Sequence, residues 1–163
     1  MGELKTNMSK VDFLVEQGKQ VIVVTQIFDA PRDLVWKLYT DSKLMPRWWG
    51  PGILKTNIEK MDVRTGGSWR IIQIDPEGNE FAFHGVYHSV KAPERIIRTM
   101  EWEGMPDHVL LEAVVLEEFE GKTKVTDTSV FQSVEDRDGM VETGMEGGVI
   151  ESYDRFVELL KEL

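Results

Sequence analysis

The sequence predicts an α+β domain: a curved antiparallel sheet of about six or seven strands wrapped around one long C-terminal helix, with two short helices after the first core strand. Three observations predict it. The chain ends in an amphipathic helical pattern, its middle consists of strand-like runs, and the connections between those runs are too short for a parallel return.

The helix is read from Met145, Val149, Tyr153, Phe156, Leu160 and Leu163, whose steps of four and three hold one stripe on one face. Thr143 followed by Glu146 has the form of a capping box at its start, and Ser133 with Asp136 repeats the pattern upstream. A short helix near Val134 to Val141, a break and then the main helix follow from this. Gly144, Gly147 and Gly148 each cost about 1 kcal/mol relative to Ala in a helix interior. Their presence points to a bend, a close backbone approach, space for a ligand, or simply a weak first turn.

Taken in order, Val11 to Glu16 and Val21 to Phe28 read as strands around Gln17-Gly18. Asp29-Ala30-Pro31 then stops the second strand and opens a helix, because proline's missing N–H costs nothing in a first turn. Leu34, Val35, Leu38 and Tyr39 give that helix a buried face. Thr40-Asp41-Ser42 caps a second short helix through Leu44 and Met45, ended by Pro46 to Pro51. Six strand-like runs follow: Ile53 to Val63, Ser68 to Asp75, Glu80 to Val90, Arg95 to Glu103, His108 to Phe119 and Lys122 to Phe131. Turns such as Thr65-Gly66-Gly67, Pro76-Glu77-Gly78-Asn79 and Glu120-Gly121 join them into a meander. With no linker or repeat, one domain over residues 1–163 is expected, residues 1–10 being a loosely ordered lead-in.

A chain of 163 residues can bury a real core. Its formal net charge of -10 repels phosphate backbones and anionic membranes, so nucleic acid is disfavoured as a partner. Without cysteine, disulfides and thiol chemistry are excluded. Met1 to Gln20 carries Glu3, Asp12 and Glu16 and no long apolar run, which predicts neither signal peptide nor membrane insertion, and hence a cytoplasmic setting. Either a monomer or a homodimer fits.

Five motifs stand in the order and spacing of one family: Phe28-Asp29-Ala30-Pro31-Arg32, Trp48-Trp49-Gly50-Pro51, Gly66-Gly67, Pro93-Glu94-Arg95 and Gly144-Met145-Glu146-Gly147-Gly148. On them the chain resembles the bacterial proteins similar to the activator of heat-shock-protein-90 ATPase, within the SRPBCC or START-like helix-grip superfamily. The resemblance implies a helix-grip fold, a ligand cavity between helix and sheet, and a link to stress response. That superfamily also hosts lipid carriers, cyclases and cochaperone domains, so the fold alone does not name an activity. One departure is Gln26, where family members usually carry Arg.

Candidate ligand-binding residues come from the loop, the strands and the terminal helix. Trp48 and Trp49 either close over a ligand or plug the end of the core. Trp69, Phe81, Phe83, Tyr87, Met100 and Trp102 lie on neighbouring strand runs and are expected to line one apolar surface, with Phe81, Phe83 and Tyr87 on a common face by alternation. Met145, Gly148, Val149 and Tyr153 face them from the helix. His84 and His88 are about 13 Å apart along an extended strand, too far for one tetrahedral metal. The segment around Asp136 and Asp138-Gly139 lacks the first and last carboxylates of a calcium loop. No metal, cofactor or catalytic residue is therefore assigned.

Glu101, Glu112 and Asp127 interrupt apolar strands, and any of them, or His84, that points inward would be a titrating group in the cavity. The leading expectation is binding of a small hydrophobic molecule; a cyclase- or hydrolase-type enzyme in the same cavity and a cochaperone-like domain with a protein partner are the alternatives. A cavity lined only by carbon favours carriage, a convergent polar cluster favours catalysis, and a filled core with an exposed apolar patch favours docking.

Overall fold

The computed structural model describes residues 11–163. The expectation for residues 1–10 lies outside the described residues. Eight strands form one antiparallel sheet: β1 (Asp12–Val15), β2 (Val21–Phe28), β3 (Lys55–Met61), β4 (Ser68–Ile74), β5 (Glu80–Lys91), β6 (Arg95–Trp102), β7 (Val109–Phe119) and β8 (Lys122–Val130). The count exceeds the expected six or seven because β1, only four residues long, still pairs with β2 from Asp12↔Thr25 to Val15↔Ile22. Helices α1 (Arg32–Thr40), α2 (Val134–Glu142) and α3 (Met145–Lys161) complete the fold. The second of the two short helices is a three-residue 3-10 turn, Met45–Arg47, with Pro46 inside it.

Strand order is β1-β2-β8-β7-β6-β5-β4-β3, so the meander from β3 to β8 folds back until β8 meets β2. Alternation sets the two faces. In β2, Ile22, Val24, Gln26 and Phe28 are buried, and in β4, Trp69 and Ile71 and Gln73 are. These positions lie on the inner face, the one that α3 covers. Register shifts at Ile58/Lys60 and Tyr87/Ser89 mark the irregularities that let the sheet bend. Gly85 sits in the bend because a Cβ there would collide with the Thr99 carbonyl and press on the Trp69 indole nitrogen.

Helix α3 lies across the inner face. Tyr153, Phe156 and Leu159 are buried, and the Phe156 ring centroid is 4.5 Å from that of Phe28. The buried stripe differs at its end from the sequence pattern, since Leu159 is buried and Leu163 is 51% exposed. Ser152 joins the stripe because its one O–H has a carbonyl acceptor on either side, Gly148 O at 2.9 Å and Gly50 O at 3.1 Å.

The Thr143–Glu146 capping box does not form. Thr143 Oγ1 donates instead to Met140 O at 2.6 Å, and Gly144, at φ 85°, is the N-cap of α3. One left-handed residue ends α2 and starts α3, a conformation that costs glycine nothing and other residues about 1 kcal/mol or more. The upstream cap does form: Asp136 N–H donates to Ser133 Oγ at 3.0 Å. Arg137, buried at the base of α2, donates to Glu16 O at 2.7 Å and ties the helix to the β1–β2 turn.

Candidate functional site

A cavity of about 370 Å³ lies between α3 and the inner face of the sheet. Nine of the twelve expected residues line it: Trp48, Trp49, Phe83, Tyr87, Met100, Met145, Gly148, Val149 and Tyr153. The other three are elsewhere. Trp69 is packed beneath the floor, its Nε1–H donating to Thr99 O at 3.2 Å and its ring covered by the Arg98 guanidinium at 4.3 Å. Phe81 shares the inner-face parity of Phe83 and pairs with Gln73 near the start of β5, but it is not among the lining residues. Trp102 is at the end of β6, 40% exposed, its ring folded against Gly104.

The two adjacent tryptophans sit differently. Trp48 is 3% exposed, packs on Tyr39 and Phe156 at centroid distances of 4.9 and 4.7 Å, and donates Nε1–H to Leu38 O at 2.8 Å. It plugs the core and presents only part of its surface to the cavity. Trp49 is half-buried and meets Phe83 edge to face at 5.8 Å, forming a wall. The loop that carries both is fastened to α3, because Arg155 donates to Gly50 O at 2.7 Å and to Arg47 O at 2.9 Å.

The floor is polar. Arg98 on β6, Glu112 on β7 and Asp127 on β8 line the cavity together. Arg98 and Glu112 are register partners, joined by a 2.7 Å bond from Arg98 Nε to Glu112 Oε1. Both side chains are about one-eighth exposed, at 12% and 13%. The Asp127 carboxyl faces that of Glu112, and among the described residues its Oδ1 is enclosed without a partner. Above them Tyr39 and Tyr153 share a hydroxyl–hydroxyl bond of 3.0 Å, and Tyr87 stands in register with Arg98.

These surroundings split the two carboxyls. Burial, reinforced by the Glu112 charge, holds Asp127 well above the usual carboxylate range. Burial also pushes Glu112 up, but the Arg98 charge and hydrogen bonds from Asp127 and Arg98 outweigh it and leave Glu112 below its ordinary value. Asp127 is thus the member that holds its proton more tightly, and Glu112 the one that gives it up more readily. Burial also raises the Tyr39, Tyr153 and Tyr87 hydroxyls, so all three stay neutral donors.

A family model described as Activator of Hsp90 ATPase homolog 1-like protein matches residues 29–161. The chain belongs to that family. Its members' architecture recurs in solved structures similar to this one. A protein from Arthrobacter aurescens is 25% identical, covering 93% of this chain and 92% of its own, with a TM-score of 0.85. One from Staphylococcus epidermidis is 26% identical, over 91% and 93%, with a TM-score of 0.78. A third, from Rhodobacter sphaeroides, is 20% identical over 94% and 99%, with a TM-score of 0.86, and shows the shared fold alone. No curated protein matches the chain.

In this Activator of Hsp90 ATPase homolog 1-like domain, the remaining titratable candidates point outward. His84 contacts Glu103 at 2.9 Å and Glu101 at 3.3 Å on the outer face, and Arg70 bonds Glu103 there at 2.8 Å. His108 is held by Asp136 at 2.9 Å, away from both. Among the described residues no helix is long and apolar enough to cross a membrane. Sequence reasoning missed Arg98 and Tyr39 as lining residues. The signal for Arg98 was present, because it has the same strand parity as Met100, two residues away.

The carboxyl pair predicts an unusual pH response. Folded Asp127 keeps a proton that the unfolded chain loses near its ordinary value of 3.8, so the stability this group contributes is complete below that value and is lost as pH rises toward the raised one. Glu112 acts in the opposite sense, its contribution fading as pH falls below its ordinary 4.5. Asp127→Asn preserves a donor to Glu112 and never ionises. Its stability relative to wild type should therefore climb with pH, by up to about 1.4 kcal/mol per unit within the window. Urea unfolding at a series of pH values checks this, and a pH-independent difference refutes it.

Proposed function

We propose that the chain binds a small, largely apolar molecule in the cavity between α3 and the sheet. The observation that supports this best is the cavity itself, about 370 Å³ walled by Trp49, Phe83, Met100, Met145 and Val149 rather than filled by them. Native mass spectrometry of freshly purified protein, before and after organic extraction, tests it. An extra small-molecule mass that extraction removes supports the proposal. Gly148→Leu is the matching variant: a Cβ at Gly148 meets only Pro51 Cγ, at 3.8 Å, so a larger side chain enters the cavity and displaces the ligand while the fold persists. An extra mass that Gly148→Leu retains would place the ligand elsewhere.

One observation favours a second reading, acid–base catalysis in the same cavity. Glu112 and Asp127 are neighbouring carboxyls pushed apart in proton affinity, the arrangement by which one acts as acid and the other as base. Conversion of the extracted molecule by wild-type protein but not by Glu112→Gln would support catalysis; its recovery unchanged favours carriage.

A further inference from the structure

The polar floor carries two carboxyls, Glu112 and Asp127, against one guanidinium, Arg98, and the described lining holds no other charged side chain. Asp127 has no cation of its own: Arg98 is bonded to Glu112, and Asp127 Oδ1 has no partner among the described residues. Building on the proposed cavity binding, we infer that the ligand is an apolar molecule bearing one cationic nitrogen, seated between the Glu112 and Asp127 carboxyls.

Three features of the floor argue for a cation over other head groups. A ligand anion would meet two carboxyls. A neutral acceptor can take a hydrogen bond from a tyrosine hydroxyl but leaves Asp127 Oδ1 unpartnered. An ammonium, by contrast, brings donors to the unpartnered Asp127 Oδ1 and to Glu112, in a cavity that Tyr39, Tyr153 and Trp48 also line.

Binding then exchanges one cation for another. The ammonium enters, Asp127 ionises, and its proton leaves to solvent, so charge balances and no covalent bond to carbon changes. The groups facing Asp127 are Glu112 from β7, Arg98 from β6, Tyr153 from α3 and Tyr39 from α1, while β2 sets Val24 opposite it in register. The tyrosines stay neutral throughout, which leaves Asp127 as the group that releases the proton.

The test compares 1-aminoadamantane with 1-adamantanol, nearly isosteric probes, by titration calorimetry on the whole chain at pH 7.5. The amine is expected to bind at least about tenfold tighter, the value of one net charge-assisted contact. Across a series of pH values its heat should vary with the buffer's ionisation enthalpy in the sense of proton release, and its affinity should rise with pH while the alcohol's does not. Asp127→Asn should abolish the preference of the amine over the alcohol; proton release in the wild-type protein supplies the same evidence if that variant folds poorly. Equal or tighter alcohol binding, or a preference that survives Asp127→Asn with no proton released, overturns the cation reading and leaves cavity binding standing. Failure of both probes to bind overturns both.

Discussion

Arg98→Met should destabilise the fold by about 3–5 kcal/mol at neutral pH, the usual loss when one partner of a buried ion pair is removed and the other charge is left behind. Arg98 is the only guanidinium lining the cavity among the described residues, and Glu112 is ionised because of it. Methionine replaces much of the volume over Trp69, so the loss measures charge more than packing. Two controls follow. Lowering the pH toward 4 should shrink the deficit, since a protonated Glu112 needs no cation. Adding Glu112→Gln should recover most of it, because the unpaired charge is then gone. Chemical denaturation of the single and double variants checks both, and a deficit indifferent to pH and to Glu112→Gln would show that Arg98 acts through packing alone.

Trp48→Ala is expected to cost about 3–5 kcal/mol, the range for removing a large aromatic side chain from a core. The indole sits between Tyr39 and Phe156 and satisfies Leu38 O, so truncation opens a void and orphans an acceptor in one step. Trp49→Ala is the contrast. That ring is half-buried and meets Phe83 across the cavity, so its loss should fall mainly on ligand retention and by less than half as much on stability. Thermal unfolding of the two variants side by side distinguishes them; equal losses would contradict the division of roles.

Much of the fold was legible because periodicity and turn chemistry are local. Helix α3 announced itself through Tyr153 and Phe156, and the meander through its short turns. The start of α3 was less legible, because Thr143 and Glu146 satisfy the capping pattern in sequence while the chain direction there is set by Gly144 in a left-handed conformation. Aromatic residues were readable as a class but not by depth: Trp69, Phe83 and Trp102 look alike in a strand, yet one is beneath the floor, one on the wall and one at the exposed end. Polar strand residues posed the harder problem. Glu101 and Glu112 both interrupt apolar runs, and only the register that brings Arg98 opposite Glu112 reveals which of them is inside.

The pairing of β2 with β8 joins Val21 to Val130 and Phe28 to Thr123, partners on the order of a hundred residues apart. During synthesis β2 and α1 leave the ribosome long before their neighbour exists, and α3, which roofs the cavity, emerges after every strand it covers. Closing so long a loop precedes any reward from the ladder, and a pairing of this kind slows folding. Until that closure the inner face of the meander is bare apolar surface, so the nascent chain's period of greatest exposure to aggregation falls between completion of β7 and docking of α3.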